Sequence, residues 1–233
     1  MHAKQLNERS PVRVLERSIH GGLGLGNLGV IVARHGVGKT AFLVGVALDD
    51  LMRARDVLHV TLDQPVDKVR TYYDEIFAEL CRTEELENVW AVRVEVERHR
   101  RIYSYLAGTF SVAKLAQTVR FLREHGEFGP RAIMVDGIDF TTVTLEELAG
   151  LRAIARESEA EMWLSATTTR NAERNERGVP EPIAHLEAGV DVILTMDHDG
   201  RAVHVGLHKD HGNPRVSDLR LALDPVTLLL VRE

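Results

Sequence analysis

The run Leu28-Gly29-Val30-Ile31-Val32-Ala33 passes without a break into Arg34-His35-Gly36-Val37-Gly38-Lys39-Thr40, and the apolar residues after it, Ala41, Phe42, Val44, Leu48 and Leu51, recur at helical spacing. A short apolar run of this kind suits a buried parallel strand. The chain must therefore form a strand, a glycine-bearing turn and a helix that continues to about residue 54. The turn matches G-x-x-x-x-G-K-[ST] at every fixed position except the first, where Ala33 stands for glycine. Each part of that pattern has a chemical reason. Glycines let successive backbone N–H groups turn inward around the β- and γ-phosphates, at a helix N-terminus whose dipole already favours negative charge. Lys39 neutralises the phosphates and assists their chemistry, and Thr40 offers a hydroxyl to Mg²⁺. The expected cradle for ATP and Mg²⁺ is thus Ala33, Arg34, His35, Gly36, Val37, Gly38, Lys39, Thr40 and Ala41.

The rest of the chain repeats the strand-then-helix order. Residues 57–62 are β-rich, and Asp63-Gln64-Pro65 opens a helix to about Cys81, with Pro65 tolerated in its first turn. Residues 89–96 alternate apolar and polar, which predicts a more exposed strand, and 102–106 a short one. Ser111 caps a helix carrying Val112, Leu115, Val119 and Leu122, ended by Gly126 and Gly129-Pro130. An apolar run at 132–135 ends in Asp136-Gly137-Ile138-Asp139, and Thr144 with Glu147 forms a capping box for a helix to about Ser158. Strands are expected at 162–165 and, after a polar loop, at 190–195, 202–207, 219–223 and 227–231. This order predicts an α/β fold, a mainly parallel sheet flanked by helices with antiparallel C-terminal strands.

A chain of 233 residues with 44% hydrophobic side chains can bury one substantial core. With no repeat or Pro/Gly-rich divider, the expectation is one domain over 1–233, of which 1–20 form an N-terminal arm and about 21–231 the core. No stretch approaches the roughly 18 to 20 apolar residues of a membrane span, the first ten residues are polar, and the single cysteine, Cys81, reads as a small helix residue. A soluble cytoplasmic protein without a membrane partner is expected. The net charge of −6 disfavours polyanion binding. Arg98, Arg100 and Arg101, and then Arg170, Arg174 and Arg177 interleaved with Glu173 and Glu176, read as solvated faces. His204, His208 and His211 sit on a strand and turn whose geometry does not point all three to one side, which disfavours a metal set.

Outside the loop, Asp136 closes an apolar strand and so places a carboxylate beside the phosphates, where it holds Mg²⁺ together with Thr40. Asp139 competes for that role from three residues further on. Asp63, just past the second strand, either polarises the water that attacks the γ-phosphate or caps the helix near Pro65. Thr167, Thr168 and Arg170 follow the strand ending at Ser165, where they sense the γ-phosphate or form an ordinary loop.

Together these residues resemble the RecA-like ATPase core shared by RecA, RadA, KaiC and the replicative DnaB helicases, over roughly residues 14–231. The stretch His20-Gly21-Gly22-Leu23-Gly24-Leu25-Gly26 is similar to the glycine-rich lead-in of KaiC and RadA relatives. Ala33-Arg34 followed by Gly38-Lys39-Thr40-Ala41-Phe42 looks like the DnaB form of the loop, which also begins with alanine. The resemblance implies a RecA-like P-loop NTPase fold, ATP and Mg²⁺ as ligands, hydrolysis of ATP to ADP and phosphate, and self-association with sites between subunits. It puts Asp63 where the family has the glutamate that activates water, and Thr168 or Thr167 where it has a polar sensor. Lys209-Asp210-His211-Gly212 resembles the Lys-x-Arg-x-Gly signature that reaches into a neighbour's site, which makes Lys209 and His211 the in-trans finger, with histidine for arginine. Turnover would then decline as pH rises above about 6.5. Only Phe140 to Val143 separate the Asp136 strand from the next helix, too few for a DNA-gripping loop, and no N-terminal helical domain precedes the core. The resulting expectation is a slow Mg²⁺-dependent ATPase whose nucleotide state regulates conformation, self-association or a protein partner. The alternatives are a DNA-dependent ATPase, helicase or recombination accessory, and a nucleotide sensor without turnover.

Overall fold

Strand β1 (Leu28–Ala33) is buried along its whole length, as a strand covered on both faces must be. The computed structural model describes residues 10–106, 108–216 and 218–232. Its other strands are β2 (Val57–Thr61), β3 (Arg100–Ser104), β4 (Ala132–Ile138), β5 (Glu161–Thr167), β6 (Val192–His198), β7 (Val203–Asp210), β8 (Leu221–Leu223) and β9 (Leu230–Arg232). They form a nine-stranded sheet in the order β3-β2-β4-β5-β1-β6-β7-β8-β9. Pairing is parallel from β3 to β6 and antiparallel from β6 to β9. The architecture is therefore α/β, a mainly parallel sheet flanked by helices and finished by antiparallel strands.

Side chains alternate across each strand, so the sheet has two apolar faces. Ile31, Met134, Trp163 and Leu194 face helices α1 (Val12–Ser18), α2 (Lys39–Leu51), α3 (Val66–Thr83) and α4 (Val89–His99). Val30, Val32, Ile133, Val135 and Leu164 face α5 (Val112–His125) and α6 (Leu145–Ser158). The same alternation places polar groups. Asp136 lies two residues beyond Met134, and Ser165 two beyond Trp163, so both fall on the α2 side of the sheet. Local chemistry fixes the helix starts: Ser111 accepts from Lys114 N at 3.3 Å, and Thr144 and Glu147 form the reciprocal capping box. Each such cap contributes about 1 kcal/mol.

Residues 89–96 form helix α4, not the exposed strand their alternation predicts. Val92 and Val96 fit both patterns, because residues four apart share a strand face and also a helix face. In the helix Val96 is buried and Val92 packs on the core, whereas Trp90 and Val94 are left 76% and 44% exposed. The sheet edge is occupied by the following segment, β3, which starts at Arg100 and not at residue 102. The polar loop after β5 contains an unexpected 3-10 helix, Ala184–Gly189. Cys81 lies half-buried on α3. Among the described residues no helix is long and apolar enough to cross a membrane.

Candidate functional site

Because β1, β2, β4 and β5 run parallel, the turns that follow them all open at the carboxyl edge of the sheet. They enclose a cleft of about 740 Å³ lined by residues 34–41 together with Asp63, Gln64, Lys68, Tyr72, Asp136, Thr168 and Arg170. Ala33 ends β1 in register with Thr167 on one side and Met196 on the other, fully buried. The loop then turns into α2 at Gly38, whose φ is 115°. A Cβ there would meet Leu223 Cδ2 at 2.5 Å, so glycine is required both by the dihedral and by the close approach of β8.

Lys39 Nζ donates to the carbonyls of Ala33 and Arg34, each at 3.3 Å. Burial lowers its pKa, while Asp136 and Asp63 pull the other way. At the foot of the loop, Thr40 Oγ1 donates to Asp136 Oδ2 at 2.6 Å and Ser165 Oγ donates to Asp136 Oδ1 at 2.5 Å. Ser165 Oγ in turn accepts from Gly137 N at 2.9 Å. Asp136, 2% exposed, is thereby held by both oxygens. Gln64 Nε2 lies 3.3 Å from Thr40 Oγ1. A hydroxyl and a carboxylate are the hard oxygen donors that Mg²⁺ takes, and the carboxylate keeps lone pairs for metal-bound water. The donor set at Thr40 and Asp136 fits that ion.

Asp63 is exposed at the cleft wall, and α3 begins only at Val66 with Pro65 as its cap residue, so Asp63 is not the helix cap. Its carboxylate lies against Gly137, where a Cβ would come within 2.8 Å of Asp63 Cγ and where φ is 92°. Partial burial of the carboxylate, and then the charge of Asp136, raise its pKa, with Lys39 and Lys68 opposing. Asp139 accepts from Thr141 N at 3.0 Å and Thr141 Oγ1 at 2.6 Å, which makes it a turn residue. Thr168 N donates to the Ala33 carbonyl at 3.1 Å and its hydroxyl to the Glu181 carbonyl at 2.6 Å. Thr167 and Arg170 are exposed in the cleft.

Lys209 and His211 lie at the other edge of the sheet. Val192, which starts β6, pairs with Gly29 near the start of β1 and with Asp210 at the end of β7, so the loop after Ala33 is a strand's length away. Lys209 Nζ donates to the carbonyls of Glu187 and Val190, both at 2.7 Å, and burial lowers its pKa. His211 Nδ1 meets Asp210 Oδ1 at 2.8 Å and its Nε2 the Leu23 carbonyl at 2.9 Å. Both partners are acceptors, so the doubly protonated ring satisfies the pocket. Burial disfavours that cation, but the contacts to Asp210 and Leu23 outweigh it and raise the pKa. His204 pairs with Asp199 and His208 with Thr195, apart from His211. Among the described residues no group of three or more His, Cys, Asp or Glu is arranged to hold a metal ion.

Most of the basic clusters are engaged within the chain. Arg100 pairs with Glu97 and lies 4.7 Å over the Tyr73 ring, and Arg101 lies 4.9 Å over Phe128. Arg174 reaches the Gly178 carbonyl and Arg177 pairs with Glu187 at 2.6 Å. Sequence reasoning missed Gln64, Ser165, Lys68 and Tyr72. Ser165 carried a signal in its even spacing from Trp163, whereas Gln64 carried only its place next to Asp63.

No protein-family model and no curated protein sequence matches the chain. Among solved structures it is similar to the ATPase domain of a DnaB-like helicase, with a TM-score of 0.70 and 18% identity over 94% of this chain and 88% of that one. At that identity the likeness is one of fold, and the fold is RecA-like.

Proposed function

We propose that this chain binds ATP with Mg²⁺ at the carboxyl edge of the sheet, hydrolyses it slowly, and uses the nucleotide state to control its conformation, self-association or a protein partner. The observation that carries the reading is the 2.6 Å contact between the Thr40 hydroxyl and the buried carboxylate of Asp136, beside Lys39 in a glycine-turned loop. The residues that would hold the metal are Thr40 directly and Asp136 through water. Bound Mg²⁺ supplies charge neutralisation to the β- and γ-phosphate oxygens. Lys39 leaves the carbonyls of Ala33 and Arg34 for those phosphates, and the backbone N–H groups of the loop orient them. Asp63 takes the proton of the attacking water, whose oxygen bonds to the γ-phosphorus while the bond to the bridging oxygen breaks and ADP leaves. A raised pKa makes Asp63 a stronger base than an ordinary aspartate. The similar solved domain is an ATPase domain by name, which agrees with this reading.

Lys209 and His211 face away from their own cleft, so they reach a nucleotide only if a second copy of the chain holds it. Nucleic acid is the weaker reading, since Arg174 and Arg177 are engaged by Asp197 and Glu187. The test is phosphate release from ATP and Mg²⁺ by wild type and Lys39→Ala, with and without single-stranded DNA, across protein concentrations. Turnover that needs Lys39 and rises per subunit with concentration is expected. Tight ATP binding without turnover would leave a nucleotide sensor, and stimulation by DNA would favour a DNA-dependent ATPase.

A further inference from the structure

We infer that Gln64 is a positioning residue for the metal, its side-chain carbonyl accepting a hydrogen bond from a water on the Mg²⁺ held at Thr40 and Asp136. This rests on the nucleotide reading of the same cleft.

The backbone of Gln64 is fixed first. Its N–H donates to Thr61 Oγ1, and its carbonyl accepts from Thr61 Oγ1 and Ser104 Oγ, each at 3.2 Å. From that anchor the side chain reaches Thr40, with Nε2 3.3 Å from Oγ1. The amide has only one sensible orientation. The Thr40 hydroxyl hydrogen is committed to Asp136 at 2.6 Å, so Oγ1 can only accept, and the N–H end of Gln64 must face it. The amide oxygen is then turned elsewhere, buried from solvent and without a hydrogen-bond partner.

A buried carbonyl oxygen in this state calls for a donor. The ionised groups around the cleft cannot serve: Asp63 and Asp136 are carboxylates, and Lys39 is held by Ala33 and Arg34. Mg²⁺ dehydrates reluctantly and retains several waters, which are strong donors pointing outward from the ion. The other buried side-chain atoms without a partner among the described residues, on Arg13, Asp49, His59 and Trp163, belong to residues that do not line the cleft. Gln64 alone of that set stands beside the Thr40 and Asp136 oxygens. Its neighbours on either side extend the arrangement, with Asp63 against Gly137 and Pro65 opening α3, which brings Lys68 and Tyr72 to the cleft wall.

Two substitutions separate this role from simple packing. Gln64→Met keeps the length of the side chain and removes the acceptor; Gln64→Glu keeps the acceptor and removes the N–H. The measurement is equilibrium binding of a fluorescent ATP analogue to the full chain, titrated with Mg²⁺ and repeated in EDTA, with thermal melting to confirm folding. Gln64→Met should lower the apparent Mg²⁺ affinity about 10-fold, the usual cost of losing an outer-shell partner, and leave binding in EDTA unchanged. Gln64→Glu should bind Mg²⁺ at least as tightly as wild type. Equal Mg²⁺ affinity in all three proteins, or a loss in Gln64→Met of the same size with EDTA, overturns the inference while leaving the nucleotide reading intact. If wild type binds no nucleotide in either condition, the nucleotide reading itself fails, and the role of Gln64 with it.

Discussion

At the carboxyl edge of the parallel sheet, charged and polar side chains rest on weak or incomplete partners. Lys39 touches two carbonyls at 3.3 Å, Gln64 leaves its amide oxygen unpaired, and Asp63 stands exposed with its carboxylate against Gly137. At the opposite edge the partners are close and complete. Lys209 spans two carbonyls at 2.7 Å, and Asp210 accepts from His211 at 2.8 Å, His20 at 2.5 Å and Asn213 at 3.2 Å. One edge holds its polar groups ready for an outside ligand, and the other uses them to close the fold. A substitution at the first edge should therefore change binding and leave stability, and a substitution at the second should do the reverse.

The largest effect expected is at Lys39. Removing it takes the cation from the phosphates, so Lys39→Ala should weaken ATP binding at least about 100-fold, roughly 2.7 kcal/mol. Its lowered pKa shows that the folded state carries this charge at some cost, so the melting temperature should stay level or rise slightly. Fluorescent nucleotide titration and a thermal melt on the same preparation check both halves. A variant that lost stability in step with affinity would erase the contrast between the two edges.

Asp63→Asn comes next, with turnover down about 100-fold and ATP affinity unchanged. Since the base must be ionised and its pKa is raised, wild-type turnover should fall on the acid side at a pH above the ordinary aspartate range. Single-turnover rates across pH test this, and the acid limb should be missing from the asparagine variant. At the other edge, Lys209→Ala leaves the carbonyls of Glu187 and Val190 without their donor. It should cost about 2 kcal/mol in urea unfolding and leave nucleotide binding by the isolated chain untouched.

How much of this could be read in the sequence depended on the range over which each feature is decided. The loop from Ala33 to Thr40 and the capping box at Thr144 are local, and spacing alone locates them. Asp136 was legible as the end of an apolar strand, but its clasp by Ser165 depends on β4 lying beside β5, a pairing 29 residues apart in the chain. Residues 89–96 satisfied two periodicities at once, and the choice was made by which segment won the sheet edge. The placement of Lys209 and His211 away from their own loop follows from the antiparallel return of β7, which no motif encodes. Gln64 was invisible because its interest lies in a side-chain oxygen left without a partner, and only coordinates can show that.

The smallest effect expected concerns stability against pH, and it comes entirely from the closed side of the molecule. Glu161 lies between the N-terminal arm and the core, where its Oε1 accepts from Gly24 N at 3.2 Å. Burial, and then the nearby carboxylates of Asp50 and Glu16, raise its pKa to about 7, against Gly24 N–H and Arg55. A carboxyl whose folded pKa lies above its unfolded value binds more protons when folded, so its stabilising effect is present at low pH and is lost as pH rises through about 7. His211 acts in the same direction: its pKa is raised on folding, so its contribution also fades as pH rises beyond the ordinary histidine range. Wild type should therefore lose on the order of 1 kcal/mol between pH 6 and pH 8 from Glu161 alone. Glu161→Gln, which cannot ionise, should show a shallower decline and be more stable than wild type at pH 8. Parallel urea melts at the two pH values would decide it. Identical slopes would mean that Glu161 is ionised at the arm throughout, its charge met by Arg55, and that the arm is held as loosely as the groups around the cleft.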